Sequence, residues 1–255
     1  MAAQLVLTAL EGVPTIRLGD DLVDIILQCA AHTGVALKDG DILVVAQKIV
    51  SKSEGRFVNL NEVRPSAEAR ALAAQSAKDP RVVELILRES TEIVRVRSGV
   101  IIVAHRLGFV MANAGIDASN VEHGPGEEIA LLLPKNPDAS AGSLRDRIRV
   151  VQGVDLGIII NDSFGRAWRL GTIGTAIGVA GLPGLLDLRG RPDRIGRRLQ
   201  VTDVGIADEL ASAASVLMGQ AAEGRPIIHV RGFPYERREG RAAEMIRPKD
   251  QDLFR

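Results

Sequence analysis

Three polar loops, each following an apolar run, carry residue types that could do chemistry. Gln47-Lys48-Ile49-Val50-Ser51-Lys52-Ser53-Glu54-Gly55-Arg56 brings together two ammonium groups, two hydroxyls and a guanidinium, donors suited to phosphate oxygens. The same composition also fits a solvated turn. Asn113-Ala114-Gly115-Ile116-Asp117-Ala118-Ser119-Asn120-Val121-Glu122 sets the Asp117 carboxylate among amides, a hydroxyl and small residues, the oxygen-rich donors that magnesium or manganese take. An Asx-turn built on Asp117 and Asn120 is the other reading. Asn161-Asp162-Ser163-Phe164-Gly165-Arg166-Ala167-Trp168-Arg169-Leu170-Gly171 places a carboxylate and a hydroxyl ahead of two arginines. Such groups could hold a metal and neutralise phosphate charge, as phosphoryl transfer requires, or they could cap a turn.

Other chemistries are excluded or weakened. There is no G-x-x-x-x-G-K-[ST], no G-x-G-x-x-G after a strand, no H-E-x-x-H and no C-x-x-C. Ser163 lacks the preceding glycine of a nucleophile elbow. One cysteine, Cys29, rules out an intrachain disulfide framework, and four scattered histidines show no ligand spacing. Lysine plus arginine balances aspartate plus glutamate at 32 each, so no net charge draws the chain to nucleic acid or an anionic membrane. A local basic run (Arg189, Arg191, Arg194, Arg197, Arg198) would suit an acidic small molecule.

The positioning elements can be read from periodicity. Apolar runs at 42–46, 100–104, 109–112, 156–160 and 227–230 predict buried strands, the second and third forming a hairpin around residues 105–108. Helices are predicted after Asp20-Asp21, over residues 65–77, after the Asp79-Pro80 cap, over 143–151 and over 207–219. The stretch 124–143 is a candidate crossover, because it holds three prolines. The uncharged run 170–186 carries five glycines and reads as strand and turn, being short of the ~20 apolar residues of a bilayer span. The expectation is a mixed α/β protein of 255 residues, soluble and cytoplasmic, without a regular βαβ series. The charged residues 236–255 are expected to form a solvated tail or linker after a domain of residues 1–235.

Taken together, the segments resemble the coenzyme F420-0:L-glutamate ligase family. The resemblance is carried by Glu11-Gly12-Val13-Pro14-Thr15-Ile16 with Gly19-Asp20-Asp21-Leu22, by residues 51–56, by the long and specific run 113–122, and by residues 162–166. Gly196-Arg197, Val201-Thr202, Ala207-Asp208-Glu209 and Leu217-Met218-Gly219 follow in the family's order. The resemblance implies an α/β fold with two intertwined halves, neither P-loop nor Rossmann. It implies a homodimer that uses GTP to activate the lactyl carboxylate of coenzyme F420-0 as an acyl phosphate, which the amino group of L-glutamate then attacks. Magnesium or manganese is implied, with potassium as a helper. In two-domain members a tail like residues 246–255 leads to a nitroreductase-like domain.

Carried over by position, Asp117 and Asp162 would be the metal carboxylates, with Ser163 where the family usually has threonine. Val13, Pro14, Thr15, Ile16, Lys52 and Asn120 match nucleotide contacts. Gln47 and Lys48 occupy a variable nucleotide-contacting pair, and Arg166 with Lys52 would meet the triphosphate. Met218, Gly219 and Gln220 fall among late nucleotide and second-metal contacts, Gln220 replacing an acidic residue. Two other readings stay open: the same ligase chemistry on a different acid, and a nucleotide-binding module without catalysis.

Overall fold

The computed structural model describes residues 3–117 and 128–253. In chain order the elements are β1 (Val6–Ala9), α1 (Leu22–His32), β2 (Ile42–Ala46), α2 (Gln47–Ser53), β3 (Phe57–Asn59), α3 (Ala67–Ser76), α4 (Pro80–Arg88) and β4 (Ser90–Arg97). They continue with β5 (Val100–His105), β6 (Val110–Ala112), β7 (Ile129–Leu131), α5 (Pro137–Gln152), β8 (Gly157–Arg166) and β9 (Arg169–Ala180). The last are β10 (Leu186–Asp187), β11 (Asp203–Val204), α6 (Ile206–Met218) and β12 (Ile227–Arg231).

The main sheet has the order β1-β12-β2-β8-β9, and β2 and β8 form its parallel pair. Strand β2 is Ile-Leu-Val-Val-Ala because both of its faces are covered. Leu43 and Val45 join a core with α1 and α5, while Ile42 and Val44 join one with α6. The helices start where side chains satisfy their free N–H groups. Asp21 accepts from the N–H of Val23 at 2.9 Å, Asp79 from Arg81 at 2.8 Å and Asn136 from Ala139 at 3.1 Å. No described helix is long and apolar enough to cross a membrane.

Between α2 and α5 the chain leaves this sheet and builds a smaller α/β part. It contains the β4-β5-β6 sheet, the β3-β7 pair, α3 and α4, with its own apolar clusters. The mixed α/β class and the 105–108 hairpin are as expected.

Four local readings differ. Residues 47–53 are helical, not a loop, because the polar side chains fall on one helix face, as the Ser51 to Gln47 hydrogen bond at 2.9 Å shows. The run expected as a loop after Ile160 instead extends β8 to Arg166 and turns into β9. Helix α5 begins six residues before the expected 143, since Asn136-Pro137 already forms its cap and first turn. Beyond Glu236, expected as a solvated tail, Ala242 is buried and the Glu244 carboxylate accepts from the N–H of Gly184 at 3.1 Å and pairs with Arg238. Glu239 pairs with Arg145. Residues 238–244 of this stretch are therefore packed against the rest of the protein, while most of 246–253 is exposed.

Within the smaller part, Glu89 ties the end of α4 to the β5–β6 turn and to the segment that follows α2. Its carboxylate pairs with Arg106 at 2.9 Å and Arg56 at 3.3 Å and lies 3.5 Å from the buried His105, while the Arg56 Nε donates to the Leu133 carbonyl at 2.8 Å. Burial alone would raise the Glu89 pKa. The His105 hydrogen bond and the charges of Arg106 and Arg56 outweigh it and hold the group at about 2. A carboxyl depressed in the fold adds stability that is complete above its unfolded pKa and fades as pH falls toward the folded value. Glu89→Gln should therefore cost about 3 kcal/mol at pH 7 and clearly less at pH 3.5. Urea unfolding of both proteins at the two pH values checks this; a pH-independent difference would contradict it.

Candidate functional site

The conspicuous segments leave the main sheet at one end. Ala46 is in register with Asn161 across β2 and β8, so α2 and the last residues of β8 start side by side. The Leu10 N–H donates to Ile227 O at 2.9 Å and the Ala46 N–H to Pro226 O at 2.8 Å, which brings residues 10–16 and 219–226 to the same end. Ligands of open α/β sheets commonly bind at the carboxyl ends of strands, and β2 and β8 both end here.

Asp117 reaches this end from the smaller part through a strained turn. Asn113, Ala114 and Gly115 take consecutive left-handed φ values of 52°, 52° and 66°. Asparagine tolerates that region and glycine is free in it, whereas alanine pays a steric cost. The Asn113 Oδ1 accepts from the Ile101 N–H at 3.0 Å and fixes the turn. Asp117 then bridges Leu131 through paired backbone hydrogen bonds of 3.0 and 2.7 Å.

At the meeting point the Lys48 Nζ lies 2.5 Å from the Asp117 Oδ2. Asp162 stands close enough to feel both charges, and its Oδ1 accepts from the N–H of Ser163 at 2.8 Å. Desolvation pushes the Asp162 carboxyl up to about 6, with the negative charge of Asp117 adding to it. The Ser163 N–H, Lys48 and a hydrogen bond from buried Gln47 oppose that rise. Lys52 sits one helical turn after Lys48 on the same face of α2.

On the other face of β8, the Ser163 Oγ donates to the Gln220 Oε1 at 2.8 Å. The buried Asn161 Nδ2 donates to the Ser215 Oγ at 3.1 Å and approaches the Met218 Sδ at 3.3 Å. A Cβ at Gly174 would collide with the Ala211 carbonyl and the Ser215 hydroxyl, so glycine lets α6 press against β9. That contact sets where Met218, Gly219 and Gln220 leave the helix. A cavity of about 490 Å³ lies nearby between residues 7–12, Thr33, Leu217 and residues 223–225. Of the N-terminal nucleotide motif, Val13 and Ile16 pack on the core while Pro14 and Thr15 are exposed.

The other expected residues separate. Arg166 is exposed near the β8–β9 turn, donating to the Gly171 carbonyl at 3.2 Å. Asn120 lies outside the described residues. The arginines 189–198 belong to the β10–β11 hairpin, which begins after β9 has run to Ala180, opposite Ile158 and away from Asp162. Among the described residues, no three His, Cys, Asp or Glu side chains gather in one place. Two carboxylates are nevertheless a suitable donor set for magnesium or manganese when substrate phosphates and water complete the shell.

Comparison with known proteins places the chain in a family. The family model described as F420-0:Gamma-glutamyl ligase matches residues 12–232. The chain belongs to this family. The "Coenzyme F420:L-glutamate ligase" of Methanothermobacter thermautotrophicus is 45% identical over 98% of both chains. The protein of that name from Methanopyrus kandleri is 45% identical over 96% of this chain and 99% of its own. That from Archaeoglobus fulgidus is 41% identical over 96% and 94%.

Within this family member, sequence reasoning missed two contributors. Gln47 was read as a nucleotide contact, yet its side chain also bonds to Asp162. Asn161, in the sequence only the first residue of the third polar run, ties β8 to α6. The alternation of side chains along an extended β8 could have suggested it.

A carboxyl raised in the fold disfavours the folded state once pH exceeds its unfolded pKa of 3.8, and the penalty is complete above about 6. Asp162→Asn should therefore stabilise the metal-free protein by about 2 kcal/mol at pH 7.5 and have little effect at pH 4. Urea unfolding in chelator checks this; destabilisation at pH 7.5 would contradict the electrostatic account.

Proposed function

We propose that the protein is a GTP-dependent ligase that joins L-glutamate to the lactyl carboxylate of coenzyme F420-0 and extends it by γ-linked glutamates. The observation that carries the reading is the Asp117–Asp162–Lys48 meeting point, in a chain 45% identical to a coenzyme F420:L-glutamate ligase along 98% of both lengths. The acceptor carboxylate attacks the γ-phosphorus of GTP, GDP leaves, and an acyl phosphate forms. The glutamate amine then attacks the acyl carbon, an amide bond forms, and phosphate departs with loss of the ammonium proton.

A magnesium or manganese ion, when bound, would withdraw charge from the phosphoryl oxygens. Asp117 and Asp162 would hold it, while the Ser163 hydroxyl and Gln220, paired on the other face of β8, would offer oxygen donors to a second ion. By the family resemblance Lys52 would supply positive charge for the triphosphate, and residues 13–16, Gln47, Asn120, Met218 and Gly219 would seat the nucleotide, whereas Arg166 stands apart at the β8–β9 turn. Beside these positions, residues 7–12, Thr33, Leu217 and residues 223–225 line a cavity of about 490 Å³, within the range of small-molecule sites. Potassium as an accessory cation and a cytoplasmic location follow from the family resemblance.

The homodimer belongs to the same reading. Trp168 and Leu170, at the β8–β9 turn, are 85% and 99% exposed, and side chains of this size are usually withdrawn from water or covered by a partner.

Mass spectrometry of protein, coenzyme F420-0, glutamate, GTP and manganese should show added glutamyl units matched by GDP, with a weaker signal from ATP. Asp117→Asn and Asp162→Asn should each lower the rate on the order of a hundredfold or more. Full turnover by both variants would refute the site. Leu170→Asp should convert dimer to monomer in light scattering; an unchanged mass would place the interface elsewhere.

A further inference from the structure

We infer that Lys48 is the resident cation of the metal-free site, and that a divalent ion displaces it toward the nucleotide's phosphates, coupling the two binding events through one side chain. This rests on the proposed reading of Asp117 and Asp162 as the metal carboxylates.

The charge balance comes first. Two carboxylates, of Asp117 and Asp162, face the single ammonium of Lys48 here, so the cation is outnumbered. The Lys48 Nζ lies 2.5 Å from an Asp117 oxygen that a metal would also use. An ammonium donates protons to the lone pairs that an ion must coordinate, so the two cannot share that oxygen comfortably. Geometry allows the exchange. The Lys48 side chain is 44% exposed, against 15% for Asp117, so its flexible stem can swing into solvent while the carboxylate stays fixed.

Its destination is also set by the helix. Lys48 and Lys52 lie one turn apart on α2, so a released Lys48 ammonium joins that of Lys52 on the same face. A polyphosphate bound there gains a second cation once metal has arrived, whereas nucleotide alone must compete with Asp117 for it. Linkage then requires that nucleotide tighten metal binding by the same factor.

The test uses the full chain and manganese, with affinity read by the spin-resonance signal of the free ion, with and without GDP. Removing a cation from a metal site should strengthen it. Lys48→Met should bind manganese alone about tenfold more tightly than the parent protein, and Lys48→Arg, which keeps the charge, should not. GDP should tighten manganese binding about tenfold in the parent and less than about threefold in Lys48→Met. Unchanged or weaker manganese binding by Lys48→Met, while Asp117→Asn has lost it, would overturn the displacement and leave the carboxylate assignment standing. Equal tightening by Lys48→Arg would overturn it too. Parent-like manganese binding by Asp117→Asn would overturn the underlying reading and the inference with it.

Discussion

Two carboxylates that repel each other must be held close together in a partly dry corner, and much of the local structure answers to that requirement. Asp117 arrives from the smaller part of the molecule and Asp162 from the main sheet, so neither can be moved without shifting a separate body of structure. The cost is visible in the raised Asp162 carboxyl and in the left-handed turn at residues 113–115 that delivers Asp117. Lys48 and Gln47 relieve part of it. Groups kept under such tension in a fold this well packed are those from which a ligand can recover energy.

The parallel β2–β8 pair makes the arrangement possible. With Ala46 beside Asn161, the first turn of α2 and the end of β8 share one edge, and Lys48 and Asp162 need no long loop to meet. Alternation along β8 then sends Asp162 toward α2 and Asn161 and Ser163 toward α6. One strand thus serves both sides of the site. Gly174 matters at a distance, since it permits the α6 contact that sets the path of residues 218–220.

Much of the fold was legible in the sequence because burial writes itself into composition. Strand β2 is apolar at every position, and Asp21 and Asp79 mark helix starts. The polar segments were harder. Residues 47–53 carry too few apolar side chains for a visible helical stripe, and the exposed end of β8 lacks a buried face to enforce alternation. The Asp117 and Asp162 motifs could be recognised by resemblance, but their meeting depends on how the smaller part folds back through the Asp117–Leu131 bridge, a long-range contact that no local pattern encodes. The packing of residues 238–244 escaped notice for a similar reason: its anchors are ion pairs and one small side chain, Ala242.

The central claim is that the two carboxylates share a divalent ion in the nucleotide complex. A crystal of the protein grown with GDP and manganese, measured at the manganese absorption edge, tests it most directly. The account requires an anomalous peak bonded to both Asp117 and Asp162, with the Lys48 ammonium withdrawn from Asp117 and turned to phosphate. A peak bonded to neither carboxylate, or Lys48 still paired with Asp117 in the filled site, would contradict it.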